Sequence, residues 1–193
     1  FRYYSEYDRK FQQDIRDRLW NVILVDPART EGSGTSKSAV VAVGVDIGGP
    51  HIYVRDIYTE HTSPDQLQDT VFRMVDQYDA RCIGLEVTGL GAFATYPFET
   101  EMRRKGVYVP LVKLHAKKGQ NERGKIERIR SMVPFYRRGQ VFHREDRCDE
   151  LEQQLLGFPA SRYWDLMDAE AYFVEVLDDQ GKFFYADGTE PED

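Results

Sequence analysis

Cysteine is scarce in this chain. Only Cys82 and Cys148 occur among 193 residues, the first in an apolar run and the second in a charged one. Two thiols placed this way argue against a disulfide framework and a cysteine-based zinc site, and match a reducing, intracellular compartment. Long apolar runs are missing too. None approaches the length of a membrane span, and no signal-peptide pattern is present, so no membrane association is expected. The four histidines, His51, His61, His115 and His143, show no metal-ligand spacing. No glycine-rich loop ends in Gly-Lys-Ser/Thr, which argues against ATP hydrolysis by this chain alone. Positive charge is in deficit: 26 Lys and Arg face 33 Asp and Glu, for a net charge of -7.

What is present is enough for one folded domain. Hydrophobic residues make up 41% and aromatics 13%, which excludes disorder over most of the length. The first residue is Phe1 rather than Met, so the chain reads as a fragment of a longer protein. Charge is polarised along it. From Lys113 to Arg147 there are 11 basic and 4 acidic residues, about +7, which leaves about -14 for the rest. That division suits a basic face beside an acidic pocket.

Residues 1–18 are polar with Tyr3, Tyr4, Tyr7 and Phe11 interleaved, and read as a helical linker or lead-in. Residues 19–178 read as the folded domain, and 179–193 as a loose acidic tail. Apolar runs predict strands over Asn21–Val25, Ala39–Val45, Ile52–Tyr58, Arg81–Val87 and Val107–Leu114. Gly48-Gly49-Pro50 is a turn that makes the second and third of these an antiparallel hairpin. Ser63-Pro64 starts a helix that runs to about Tyr78. Further helices are predicted over 92–105, 123–138, 146–156 and 164–177. Hairpin strands followed by alternating strands and helices predict a mixed sheet with helices on its faces.

Four carboxylates stand where acids are costly. Asp26 ends one apolar strand and Glu86 ends another, in Cys82-Ile83-Gly84-Leu85-Glu86. Asp165 and Asp168 open the last helix three residues apart, on one face. Carboxyl ends of strands in an α/β sheet converge on one edge, and a helix laid there brings its acids to the same place. Carboxylates so gathered stay ionised together only if cations neutralise them, and hard oxygen donors suit Mg²⁺ or Mn²⁺. Two such ions about 4 Å apart can hydrolyse a phosphodiester without a nucleophilic side chain. Taken singly, Asp26 is also a strand-ending turn residue, Glu86 a partner for a buried Arg or a loop cap, Asp165 the N-cap of its helix and Asp168 a first-turn charge.

Val25-Asp26-Pro27-Ala28, Ile83-Gly84-Leu85-Glu86 with its Gly-rich bend, and Trp164-Asp165-Leu166-Met167-Asp168-Ala169 resemble the nuclease domain of the large terminase subunit. That protein is the DNA-packaging motor of tailed bacteriophages. Gly124-Lys125-Ile126-Glu127-Arg128-Ile129 and Gly139-Gln140-Val141 resemble it as well, and the ordered set spans about residues 20–177. The resemblance implies an α/β, RNase H-like mixed sheet with helices on both faces. It implies a metal-dependent endonuclease cutting double-stranded DNA with little sequence specificity during viral genome packaging, using two Mg²⁺ or Mn²⁺ ions. It also implies an upstream ATPase domain, the portal and the small terminase subunit as partners, and a place in the host cell cytoplasm rather than in the virion. Carried over residue by residue, Asp26, Glu86, Asp165 and Asp168 are catalytic metal ligands, with Asp165 favoured over Asp168 for direct contact. Lys113, Lys117, Lys118, Arg123, Lys125, Arg128 and Arg130 are candidate phosphate contacts on DNA.

Other readings compete. Resolvases and transposases place an acidic cluster on the same kind of sheet. Val45-Asp46-Ile47-Gly48-Gly49 resembles the phosphate-binding hairpin of actin-like ATPases and sugar kinases, although a Gly-Gly hairpin turn is the commoner explanation. A non-catalytic DNA-docking domain is the fourth reading.

Overall fold

In the computed structural model, residues 1–28, 37–87, 92–115 and 122–179 are described. Seven strands form one sheet: β1 (Arg2–Tyr4), β2 (Leu19–Asp26), β3 (Ser38–Asp46), β4 (Ile52–Glu60), β5 (Cys82–Glu86), β6 (Leu111–Leu114) and β7 (Val141–Arg144). Their order is β1-β7-β4-β3-β2-β5-β6. β3 is antiparallel to both neighbours, and every other pairing is parallel. The carboxyl ends of β2 and β5 therefore share one edge with the start of β3.

The helices are α1 (Pro64–Tyr78), α2 (Ala92–Lys105), α3 (Glu122–Ser131), α4 (Val133–Arg137), α5 (Asp149–Gly157), α6 (Asp165–Ala171) and α7 (Phe173–Asp179). Alternation along β2 divides them between the two faces. Ile23 and Val25 pack with Leu67, Val71, Met74 and Phe98 of α1 and α2. Val22 and Leu24 pack with Leu166, Met167, Phe173 and Val176 of α6 and α7. Gly84 lets α7 lie close to β5, because a Cβ there would sit 2.8 Å from Val176 Cγ2. No described helix is long and apolar enough to cross a membrane. Both cysteines are buried free thiols.

The hairpin and α1 form where sequence places them. Ser63 and Gln66 complete a reciprocal capping box, with Pro64 in the first turn. The helix read over 123–138 is two helices, α3 and α4, divided at Met132 with Pro134 in the first turn of α4. The last helix is likewise broken, at Tyr172.

Residues 1–18 are more than a lead-in. Arg2–Tyr4 pairs parallel with β7, and Phe11 is buried against Tyr53 and Leu19. The register between β3 and β4 shifts at Ala42/Val43, leaving Arg55 as the extra residue of a bulge. Arg55 Nε and Nη2 each donate to a Glu6 oxygen at 2.8 Å, and Nη1 donates to Asn21 Oδ1 at 3.1 Å. Mixed polar and aromatic spacing over 1–18 conceals this strand, which is short and lies at the sheet edge.

Glu170 of α6 is buried against the sheet, where burial pushes its carboxyl up to about 8 against the pull of Tyr136. Tyr136 Oη lies 2.8 Å from both Glu170 Oε1 and His143 Nε2. His143 Nδ1 lies 2.9 Å from Glu152 Oε1, to which only an Nδ1–H can donate. In the neutral imidazole Nε2 is therefore an acceptor, and one Tyr136 hydrogen cannot serve both it and Glu170. A protonated Glu170 resolves the conflict by donating to Tyr136, which then donates to His143. The folded-state pKa lies above the ordinary 4.5, so folding takes up a proton between those values. Glu170 thus favours the fold fully below pH 4.5, and that contribution is lost as pH rises through about 8. Glu170→Gln keeps a donor and removes the titration. Its stability relative to the parent should rise from pH 5 to about pH 8 and level off above that in urea unfolding; parallel profiles would refute the assignment.

Candidate active site

Val25 pairs with Leu85 across the parallel β2–β5 ladder, so Asp26 and Glu86 follow side by side at the sheet edge. Alternation turns Asp26 to the face that α6 covers. Asp168, fully buried in the first turn of α6, meets them there. One carboxylate oxygen from each of Asp26, Glu86 and Asp168 lies within 4.8 Å of the others, and this is the one such cluster among the described residues.

α6 is held in place by unusual capping. Its N-cap, Trp164, supplies no side-chain acceptor. Instead Gln154, buried on α5, accepts from the Leu166 N–H at 3.1 Å and the Met167 N–H at 3.4 Å. A side chain from another helix thus satisfies first-turn donors that would otherwise be orphaned.

Cations converge on the acids from α3. Lys125 and Arg128, three residues apart on one helical face, both reach Asp168. Lys125 Nζ is 2.9 Å from Asp168 Oδ2 and 3.9 Å from Asp26 Oδ2. Arg128 Nε donates to Asp168 Oδ1 at 2.7 Å, with Nη2 also 2.7 Å from that oxygen. The Arg128 guanidinium lies over the Tyr172 ring at 4.1 Å. Burial raises the Asp26 carboxyl well above the usual carboxylate range, and the neighbouring Glu86 raises it further, against the pull of Lys125. Burial alone lowers the Lys125 ammonium, but Asp26 and Asp168 more than reverse this and its pKa is raised. The three acids are an all-oxygen set whose mutual repulsion is relieved by a proton or by positive charge. Such donors fit a hard divalent cation.

The geometry separates the sequence candidates. Asp26, Glu86 and Asp168 come together, whereas Asp165, favoured from sequence, is not in the cluster. Asp165 is the first residue of α6, partly buried, with its carboxyl raised by burial and held back by Lys125. Of the basic set, Lys125 and Arg128 point inward at the acids rather than out toward a ligand's backbone. Lys113, Arg123 and Arg130 are exposed, and Lys117 and Lys118 lie outside the described residues. Asp46 serves its own turn: it accepts from the Gly48 N–H at 3.0 Å and pairs with Arg18 at 3.0 Å. Sequence reasoning missed Gln154 and Tyr172. Neither carries a motif, and each acts only through a partner distant in sequence or one turn away on another face.

No protein-family model matches the chain, and no curated protein matches it. Solved structures do resemble it in shape. The terminase nuclease domain of human cytomegalovirus, a manganese-soaked and inhibitor-bound structure, aligns with a TM-score of 0.60 at 13% identity, covering 95% of this chain and 94% of that one. The Holliday junction resolvase of fowlpox virus aligns with a TM-score of 0.54 at 10% identity, covering 83% and 99%. The fold is therefore the RNase H-like α/β sheet, with helices on both faces.

Proposed function

We propose that this chain is a metal-dependent endonuclease that hydrolyses phosphodiesters of double-stranded DNA, acting as the nuclease part of a viral packaging terminase. The observation that carries this reading is the convergence of Asp26, Glu86 and Asp168 on one point at the sheet edge. Asp26, Glu86 and Asp168 would hold divalent metal there, which would supply activation of a water and charge stabilisation for the leaving oxygen. Asp165 lies one turn away at the mouth. Arg128 fixes the Asp168 carboxylate through bonds to one oxygen. Lys125, the more exposed of the two cations, neutralises the cluster when DNA is absent and turns toward substrate phosphate when it is present. Phosphate-directed binding of this kind reads little sequence. The resemblance to a terminase nuclease domain over nearly the whole of both chains supports the packaging role. By the same reading, an upstream ATPase motor, the portal and the small terminase subunit are the partners.

A second reading, a Holliday junction resolvase, is favoured by the likeness to the fowlpox enzyme. Substrate choice separates the two. With Mg²⁺ or Mn²⁺ the terminase reading expects plasmid and linear duplex to be cut at rates comparable to a synthetic four-way junction. Preference for the junction by about tenfold or more, close to 1.4 kcal/mol in the barrier, would select the resolvase. Absence of cutting on every DNA would leave a docking domain.

A further inference from the structure

Lys37 immediately precedes β3, at the sheet edge that carries Asp26. Asp26 pairs with Ala39, and the Ala28 N–H donates to Ser38 Oγ at 3.0 Å, so Lys37 lies two positions from the residue that pairs with Asp26. The Lys37 side chain is only 21% exposed, so it is held rather than free in solvent. Its ammonium lies 3.6 Å from Glu150 Oε1 and 5.4 Å from the centre of the Tyr163 ring. The Arg162 guanidinium lies 5.2 Å from the centre of that same ring. Two cations thus share one aromatic ring, with a half-exposed Glu150 as the carboxylate beside Lys37. Arg162 is exposed and forms no carboxylate pair among the described residues. Asp165 lies in the field of both Lys37 and Lys125, and of the carboxylates Asp168 and Glu150.

Glu150 offsets one of the two charges on this ring, and the exposed Arg162 leaves one positive charge that an anion can complete. The anion must be reachable from the mouth of the acidic cluster, and it must suit a planar guanidinium together with a point-charge ammonium. A backbone phosphate meets both conditions. We propose that Lys37, Arg162 and Tyr163 form a phosphate-binding subsite that holds the cut strand next to the scissile bond. The two cations contact the phosphate, and Tyr163 is a positioning residue that aims them. The subsite rests on the nuclease reading and adds to it a register for the strand. Because it engages phosphate alone, it binds every sequence equally.

The test is fluorescence anisotropy with labelled linear duplex in Ca²⁺, over increasing KCl, beside cleavage kinetics in Mg²⁺. Lys37→Ala and Arg162→Ala should each flatten the slope of log K against log salt by about 0.9. Each should raise KM several-fold and change kcat much less. Tyr163→Ala should weaken binding in the same way, and Tyr163→Phe, which keeps the ring, should restore most of that loss. Circular dichroism confirms that each variant is folded. A wild type that cuts DNA while both cation variants keep its slope and KM would overturn the subsite alone. A wild type that neither binds nor cuts DNA would overturn the nuclease reading and the subsite with it.

Discussion

Asp26→Asn, Glu86→Gln and Asp168→Asn should each lower the rate of plasmid cleavage by about 10³-fold or more, while Asp165→Asn lowers it by about tenfold, since each factor of ten is 1.36 kcal/mol of transition-state stabilisation. The difference follows from place. The first three supply the oxygens that lie within 4.8 Å of one another, and Asp165 lies outside that set. An amide keeps the shape and removes the charge, so a divalent ion loses both a ligand and the field that attracts it. Asp168→Asn has a second effect, because it leaves Arg128 buried beside a neutral group. Thermal unfolding of each variant separates that loss of stability from loss of chemistry. If Asp165→Asn proved as damaging as Asp168→Asn, the ligand assignment would have to include both residues of the helix.

Glu6→Ala should destabilise the domain by about 3 kcal/mol, the usual cost of stripping one partner from a buried ion pair. For a chain of this size that is a fall in Tm of roughly 6–12 °C. Arg55 is 4% exposed and Glu6 13%, and two bonds of 2.8 Å join them. Without Glu6, the guanidinium keeps only Asn21 and the faces of Tyr78 and Phe11. Adding Arg55→Met to Glu6→Ala should recover part of the loss, because no uncompensated charge then remains. Were residues 1–18 a detachable linker, Glu6→Ala would leave Tm unchanged. The prediction therefore tests directly whether the N-terminal segment belongs to the folded domain.

Much of the scaffold was legible because its signals are local. The Gly48-Gly49-Pro50 turn, the capping box at Ser63 and the acids ending β2 and β5 all depend on neighbours a few residues away. What was hidden depends on tertiary partners. A spacing of three puts Asp165 and Asp168 on one helical face, and periodicity cannot say which one faces the sheet. Packing decides it: Asp168 is wholly buried, whereas Asp165 remains at the mouth. Likewise, a basic segment announces its charge but not its direction. Lys125 and Arg128 were readable as a basic face, yet their partner lies about forty residues downstream. The strand at Arg2–Tyr4 was illegible for a related reason, since three residues carry no period and only pairing with β7 defines it.

Direct measurement of Mn²⁺ binding, by calorimetry on the wild type and on the Asp26→Asn, Glu86→Gln and Asp168→Asn variants, bears most closely on the central claim. The three-carboxylate centre predicts saturable binding to the wild type that each substitution weakens by about tenfold or more, 1.4 kcal/mol or above. Wild-type binding that survives all three substitutions, or no binding at all, would contradict a metal centre at the meeting point of β2, β5 and α6.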